Sequence, residues 1–396
     1  MTETTIFRSR WDGSVIAQNG LVVGELLLAV ICGLGFVALG TGGGAWILGG
    51  IAAGTIGFSL YRAWFKVAID PNRTARKLGQ ILIGLTVGFS IQHDSLSALS
   101  FQVPLLIGVA FFLLFNGSLI GYLYSRLEKT DLLTATLATI PGNVGVMASI
   151  AADYGRNTAL VSLVQLLRFT SIIIVVPLVA NVANPRDVGA TIHSLITNLQ
   201  SFSTTSLLML SGVVGLAVLA ALGGNRLKMP VANFICPIAV GILVSQVATF
   251  PAFSELAGLS IPLLLKVIGQ ILLGITIGEY WAMNPHLKQV TAFRAMIPVA
   301  LTFLGGFTAA QLLHLVTQWD WLTCLLVAAP GGSPEMIWIA LALNHNIEIV
   351  TASHVIRLLT INLSIPLLIS LVTLLEQRIS VSMKERSGKS ISDIPG

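Results

Sequence analysis

The chain has 396 residues, 55% of them apolar and only 10% charged, with a formal net charge of +5 and a mean hydropathy of +0.87. That balance excludes a soluble globular domain and specifies a polytopic, all-α membrane protein. Most of its basic residues fall in short loops, where they set topology rather than build a nucleic-acid surface.

Taken in order, the first twenty residues, MTETTIFRSRWDGSVIAQNG, are polar and mixed in charge. They lack the basic n-region, short h-region and cleavage site of a signal peptide, so residues 1–20 are expected to stay on the chain as a cytoplasmic tail. At about 20 apolar residues per crossing, helices are predicted near 21–39, 44–64, 78–95, 102–125, 157–182, 203–223, 229–249, 258–281, 290–315 and 347–374. Two further apolar stretches, 132–152 and 321–343, are interrupted at Pro141-Gly142-Asn143 and Pro330-Gly331-Gly332-Ser333. Residues 183–202 read as a linker. The segment 375–396 is a basic cytoplasmic tail whose last part, after Gln377, reads as disordered. Cys32, Cys236 and Cys324 sit within or beside apolar segments without a CxxC, so they suggest packing rather than disulfides or zinc.

Internal repetition is the strongest signal. Residues 131–177 overlay 320–366 without a gap, pairing Asp131 with Asp320, Pro141 with Pro330, Met147 with Met336, Arg168 with Arg357 and Pro177 with Pro366. Upstream, GQILIGLTVG at 79–88 matches GQILLGITIG at 269–278. The chain therefore reads as a duplication, with membrane repeats at 21–182 and 203–374.

The positive-inside rule separates two topologies. If both interrupted segments cross, Arg156, Arg226, Lys228, Lys288 and Arg294 fall outside; if each enters and leaves on one face, only Arg186 does. Arms such as Leu132–Ile140 and Val144–Ala152 are nine residues each, about 13 Å as helix, or roughly half the hydrocarbon core. The expected fold is thus an inverted-repeat, transporter-like fold with five crossing helices plus one re-entrant hairpin per repeat. In secondary transporters, broken helices of inverted repeats meet at a mid-depth binding site. The competing reading is that proline and glycine merely kink ordinary crossing helices.

Arg168 lies near the middle of one predicted span and Arg357 in the matching place of another. A guanidinium at bilayer centre costs about 2.5–3.5 kcal/mol or more, so each should face protein and have a partner. Three partners are open: free carbonyls where the hairpin arms break, a carboxylate such as Glu335, or an anionic substrate. The second arm of each hairpin also presents free amides and a positive dipole end, with Asn143 and Ser333 placed as N-caps. Glu335 either titrates as a proton-coupling group or forms a fixed ion pair. Gln165 and His354 precede the arginines by three residues, and His354 is a relay or a structural histidine. Gln80 and Gln270 line the cavity or join helices. Glu25 and Glu279 fall near predicted span ends, where solvent contact accounts for them, and Trp46, Trp281 and Trp321 read as an interfacial belt.

On PGN…M…QLLR and PGG…EM…HVIR within a duplicated membrane chain, the sequence resembles the AbrB-type membrane protein family, built from two duplication units. The resemblance spans about 20 to 374. In the second half, Pro330, Gly331, Gly332, Glu335 and Met336 match the usual Pro-Gly-Gly-Leu-Ser-Glu-Met, and Ser333-Pro334 stands in place of Leu-Ser. Members carry labels such as ammonia monooxygenase and regulator of gene expression. The residues support neither directly: the six histidines are scattered, without a ligand pair, and no DNA-reading module stands outside the membrane. The leading expectation is a secondary transporter of a small anionic or polar solute in a bacterial inner membrane, with both termini cytoplasmic. It would be coupled to H+ or Na+ and use no cofactor, metal or direct nucleic-acid contact; a homo-oligomer is left open. The alternative is a membrane-embedded sensor acting indirectly on gene expression, and the oxygenase reading ranks last.

Overall fold

The structure is a computed structural model that describes residues 3–41, 44–65, 71–91, 101–142, 144–179, 188–229, 231–250, 259–283, 289–343 and 345–392. Within these residues the chain forms fifteen helices. They are α1 (Glu3–Ala38), α2 (Ala45–Phe65), α3 (Arg73–Ser90), α4 (Val103–Glu128), α5 (Leu132–Thr139), α6 (Val144–Asp153), α7 (Thr158–Val179) and α8 (Val188–Gln200). There follow α9 (Thr204–Arg226), α10 (Ala232–Val247), α11 (Leu263–Met283), α12 (Gln289–Thr317), α13 (Trp321–Ala328), α14 (Ser333–Ala342) and α15 (Ile347–Ser392). Seven of these contain a stretch long and apolar enough to cross a membrane, which makes the protein a multi-pass helical membrane protein.

Both polar ends differ from the sequence expectation. Helix α1 begins at Glu3 rather than near residue 21, and α15 runs on to Ser392 through the stretch read as disordered. Neither extension contains a proline, and adding a residue to an established helix costs little. The expected linker 183–202 contains α8. Its apolar residues Ile192, Leu195, Ile196 and Leu199 follow helical spacing, but at 13 residues it is too short to span.

The chain divides into two compact units. One comprises Met1–Val103, Thr170–His286 and Ser333–Val355; the other comprises Pro104–Phe169, Leu287–Gly332 and Ile356–Gly396.

In the first unit α2 packs against α1 and α11, and α3 packs against α10 and α11. Lipid supplies no hydrophobic drive between helices, so close backbone approach through small residues takes its place. A methyl added at Gly50 would lie 2.9 Å from Gly274 Cα, and one at Gly278 would lie 3.0 Å from Gly54 C. Because 50 meets 274 and 54 meets 278, α2 and α11 run parallel. The α3–α10 contact repeats this geometry: a methyl at Gly84 would lie 3.1 Å from Pro237 Cβ, and one at Gly88 2.9 Å from Gly241 Cα. By contrast, α3 and α11 cross antiparallel at the GQIL blocks, since a methyl at Gly79 would meet Leu273 N at 3.1 Å and one at Gly269 would meet Ile83 Cγ1 at 3.1 Å. Helix α8 lies against α1 and α11; its Leu195 joins the cluster of Ala29, Ala53, Val267 and Ile271, and Asn198 Oδ1 accepts the Leu263 N–H at 2.7 Å, capping α11.

Trp46 is buried in that same cluster and stacks where Gly33 leaves room, so it is a core residue and not part of an interfacial belt. Trp281 Nε1 donates to Thr170 Oγ1 at 2.8 Å.

In the second unit α12 packs against α13, with Trp321 edge-on to Phe307. Two matching turns launch the interrupted segments. Lys129 and Gln318 adopt left-handed backbone (φ 52 and 57), followed by Asp131 and Asp320. Asp131 accepts Thr134 N–H at 2.8 Å and Asp320 accepts Thr323 N–H at 2.9 Å, capping α5 and α13. Arg156 braces the first turn by pairing with Asp131 at 3.2 Å and Glu376 at 2.8 Å.

Candidate functional site

Each interruption follows from its proline. The residue before proline is excluded from helical backbone by the ring, and Ile140 (φ −63, ψ 143) and Ala329 (φ −57, ψ 125) are both extended. A helix stopped there leaves its last carbonyls without intrahelical donors. The first tip is also wedged against α4: Thr139 Oγ1 donates to Gly117 O at 2.7 Å, and a methyl at Gly117 would stand 2.9 Å from Ile140 Cα and 3.3 Å from Pro141 Cδ. Gly306 of α12 holds the corresponding place at the second tip, where a methyl would stand 3.1 Å from Pro330 Cδ.

The freed carbonyls are taken by α7 and α15. Arg168 Nη1 donates to Thr139 O at 3.1 Å and to Ile140 O at 3.0 Å. Its Nη2 donates to Gln165 Oε1 at 2.6 Å, and Gln165 Nε2 donates to Leu137 O at 2.8 Å and Ile140 O at 3.1 Å. At the second tip Arg357 Nη1 donates to Ala329 O at 2.6 Å and Nη2 to Gly331 O at 3.0 Å. Ile140 and Ala329 occupy equivalent places in the duplicated sequence, so the same bond is made twice.

Of the three partners open for the arginines, free carbonyls are present at both. They satisfy N–H donors without neutralising charge. Arg168 is 3% exposed, its hydrogen-bond partners among the described residues are all neutral, its Nε has no acceptor, and the charge of Arg357 acts on it. Two buried cations thus sit beside carbonyls at broken helix ends.

The other expected residues are distributed as follows. Pro141 and Pro330 are buried, and Gly142, Gly331 and Gly332 half-buried; Gly142 lies under Met147, whose side chain fills the space a methyl would need. Asn143 lies outside the described residues. In the other unit, Ser333 is the first residue of α14 rather than a cap before it. Glu335 is buried, keeps Oε2 without a hydrogen-bond partner, and feels the charge of Arg76, while α14 packs on α3. His354 is fully buried. Gln80 and Gln270 follow the Gly79–Gly269 crossing and are buried, and Gln270 Oε1 has no donor, so that atom joins no helices.

Sequence reasoning misplaced one pair and missed two residues. Glu25 and Glu279, read as solvent-facing, are each 1% exposed; a helix end was equated with water although the surrounding helices close over both. Thr139, in the first interrupted tip, has a role the sequence left unassigned: its hydroxyl bonds Gly117 O and its carbonyl accepts from Arg168. Asn116 was missed too: α4 and α12 cross there, its side chain filling the space beside Gly305, and the equivalence of positions 116 and 305 under the duplication was the available clue.

Comparison with known proteins extends the resemblance across the chain. Residues 46–373 match the family described as "Transition state regulatory protein AbrB". "Uncharacterized protein YhjN" of Bacillus subtilis (strain 168) is 26% identical over 356 residues, covering 84% of this chain and 91% of that protein. "Putative regulator AbrB" of Escherichia coli (strain K12) is 22% identical over 347 residues, 86% of this chain and 93% of that protein. The chain therefore belongs to the AbrB family of multi-pass membrane proteins.

Proposed function

We propose that the protein is a secondary transporter of a small anionic or polar solute in a bacterial inner membrane, built from two inverted repeats that each carry a re-entrant hairpin. The observation that carries the site is Arg168, a buried cation held at a broken helix tip by neutral carbonyls, with Arg357 held in the same way at the equivalent tip. An anion supplies the charge those carbonyls lack. Pro141, Gly142, Pro330, Gly331 and Gly332 make the tips, and Gln165 fixes the Arg168 guanidinium.

The helix directions support the inverted arrangement. If α2 and α11 run parallel, an odd number of membrane crossings lies between them. That holds when 132–153 does not cross and fails when it does, since α8 is too short to span. The parallel α3–α10 pair demands the same, and the antiparallel crossing of the equivalent helices α3 and α11 fits halves of opposite orientation. The distribution of basic residues supports a cytoplasmic position for both termini.

The test is flux in proteoliposomes with labelled small carboxylates and inorganic anions. The wild type should accumulate at least one of them, and the Arg168→Met/Arg357→Met double variant, checked for monodispersity, should not. Retained flux in that variant refutes the anion site. The name of the Escherichia coli relative, "Putative regulator AbrB", favours a second reading, a membrane-embedded regulator. Deleting the residues after Gln377 discriminates, because a regulator loses signalling while a carrier continues to transport.

A further inference from the structure

Glu25 of α1 and Glu279 of α11 lie outside the site described above, in the unit that holds α1, α2, α3 and α11. Both are 1% exposed and both lie against the same stretch of α2: a methyl at Gly57 would stand 2.7 Å from Glu25 Cγ, and one at Gly278, next to Glu279, 2.6 Å from Thr55 N, which brings the two carboxyls together. Glu279 Oε2 accepts the Asn72 backbone N–H at 2.8 Å. Neither Glu25 oxygen has a donor. Asn72 is also the N-cap of α3, its Oδ1 accepting Thr74 N–H and Ala75 N–H at 3.0 Å each, so Glu279 sits at the positive end of an 18-residue helix. Glu25 fits only because residue 57 is glycine: a methyl there would stand 2.7 Å from Glu25 Cγ.

Two carboxylates facing each other in a water-poor interior cannot both stay ionised without a cation. Among the described residues, no ion pair reaches the two carboxyls from the helices packed against them. On α2, Arg62 is bound to Ala282 O at 2.8 Å. On α3 are Arg73, Arg76 and Lys77, of which Arg76 acts on Glu335. His193 on α8 is exposed, and Lys266 is more than three turns before Glu279 on α11. Packing does not require the pair either, since the counterpart of Glu279 in the other GQIL block is Phe89.

We infer that Glu25 and Glu279 form a proton-binding site, the proton residing on Glu25 and donated in a hydrogen bond to the Glu279 carboxylate, whose charge is held by Asn72 N–H and the α3 N-terminus. Binding is reversible and forms no other bond: the carboxyl oxygen takes up H+ and releases it. A proton suits the geometry better than sodium, because it supplies the missing donor to Glu25, whereas Asn72 N–H already directs a donor at Glu279. Glu25 lies five residues inside Gly20–Ala38, and Glu279 four residues before the end of Leu263–Met283. The pair is thus about 6–8 Å along the helices from one end, within reach of protons from one aqueous face. That this site couples transport to the proton gradient rests on the carrier reading; the proton site itself does not.

Dicyclohexylcarbodiimide, which modifies protonated carboxyls in apolar surroundings, tests it on the purified wild type in detergent, with adducts located by peptide mass spectrometry. The expected result is an adduct on Glu25 at neutral pH that disappears as pH is raised, and no adduct in Glu25→Gln. In Glu279→Gln, with the neighbouring negative charge gone, labelling should vanish at a pH lower by about one unit or more. Wild-type protein that takes no label on either glutamate at neutral pH overturns the inference, and suppression of the label by sodium at constant pH overturns the proton as occupant. The wild-type pH profile decides even where the variants fail to fold, and either outcome leaves the anion-flux test independent.

Discussion

Replacing Arg168 by methionine removes the guanidinium while keeping a flexible side chain of similar reach. Three bonds disappear: to Thr139 O, to Ile140 O and to Gln165 Oε1. Breaking a buried charged partner costs about 3–5 kcal/mol. Relief from burying an unneutralised cation offsets part of that, leaving a net loss of about 2–3 kcal/mol, or roughly 30- to 150-fold in the local opening equilibrium of the tip. The loss is confined because Gln165 Nε2 still reaches Leu137 O and Ile140 O. Amide hydrogen exchange in detergent should therefore accelerate by that factor across residues 136–147. Residues 325–336, held by Arg357, should exchange as before or more slowly, since a repelling charge has gone. Arg357→Met should show the converse. Exchange at 136–147 that rises less than about threefold in a monodisperse variant would show that carbonyl capture does not hold the tip.

Other substitutions separate the supporting contacts. Gly117→Ala places a methyl against Ile140 Cα, a backbone atom that cannot swing away, and should cost about 1–3 kcal/mol in thermal unfolding; an unchanged midpoint contradicts the close approach. Glu376→Gln loses the half-exposed pairing with Arg156 and weakens the bond to Leu133 N–H, so about 0.5–1 kcal/mol is expected, and a loss several times larger would contradict the assignment. Gly274→Leu should abolish folded yield, because a methyl there already meets Gly50 Cα at 2.9 Å, whereas Gly212→Leu, with nothing within 4 Å of its added carbon, should express normally. Equal yields would remove the glycine interface between α2 and α11.

What the sequence disclosed follows local chemistry. Proline and glycine forced the interruptions, and buried arginine demanded partners nearby, both of which the structure contains. The fate of Glu25, Glu279 and Trp46 depended instead on which helices close over them, information carried by glycines scattered from Gly33 to Gly278 rather than by neighbours in sequence. Helix α8 escaped because a span-length criterion ignores a 13-residue amphipathic segment. That carbonyls serve both arginines required knowing that Thr139, Ile140 and Ala329 present their oxygens toward α7 and α15.

The most direct test of the architecture is the sidedness of two positions in right-side-out and inverted vesicles, with Cys32, Cys236 and Cys324 replaced and single cysteines introduced as Arg156→Cys or Asn346→Cys. Re-entrant segments on opposite faces predict that an impermeant thiol reagent reaches position 156 from the cytoplasm and position 346 from outside. Labelling of both positions from outside would mean that each interrupted segment crosses the bilayer, and the inverted-repeat account would be wrong.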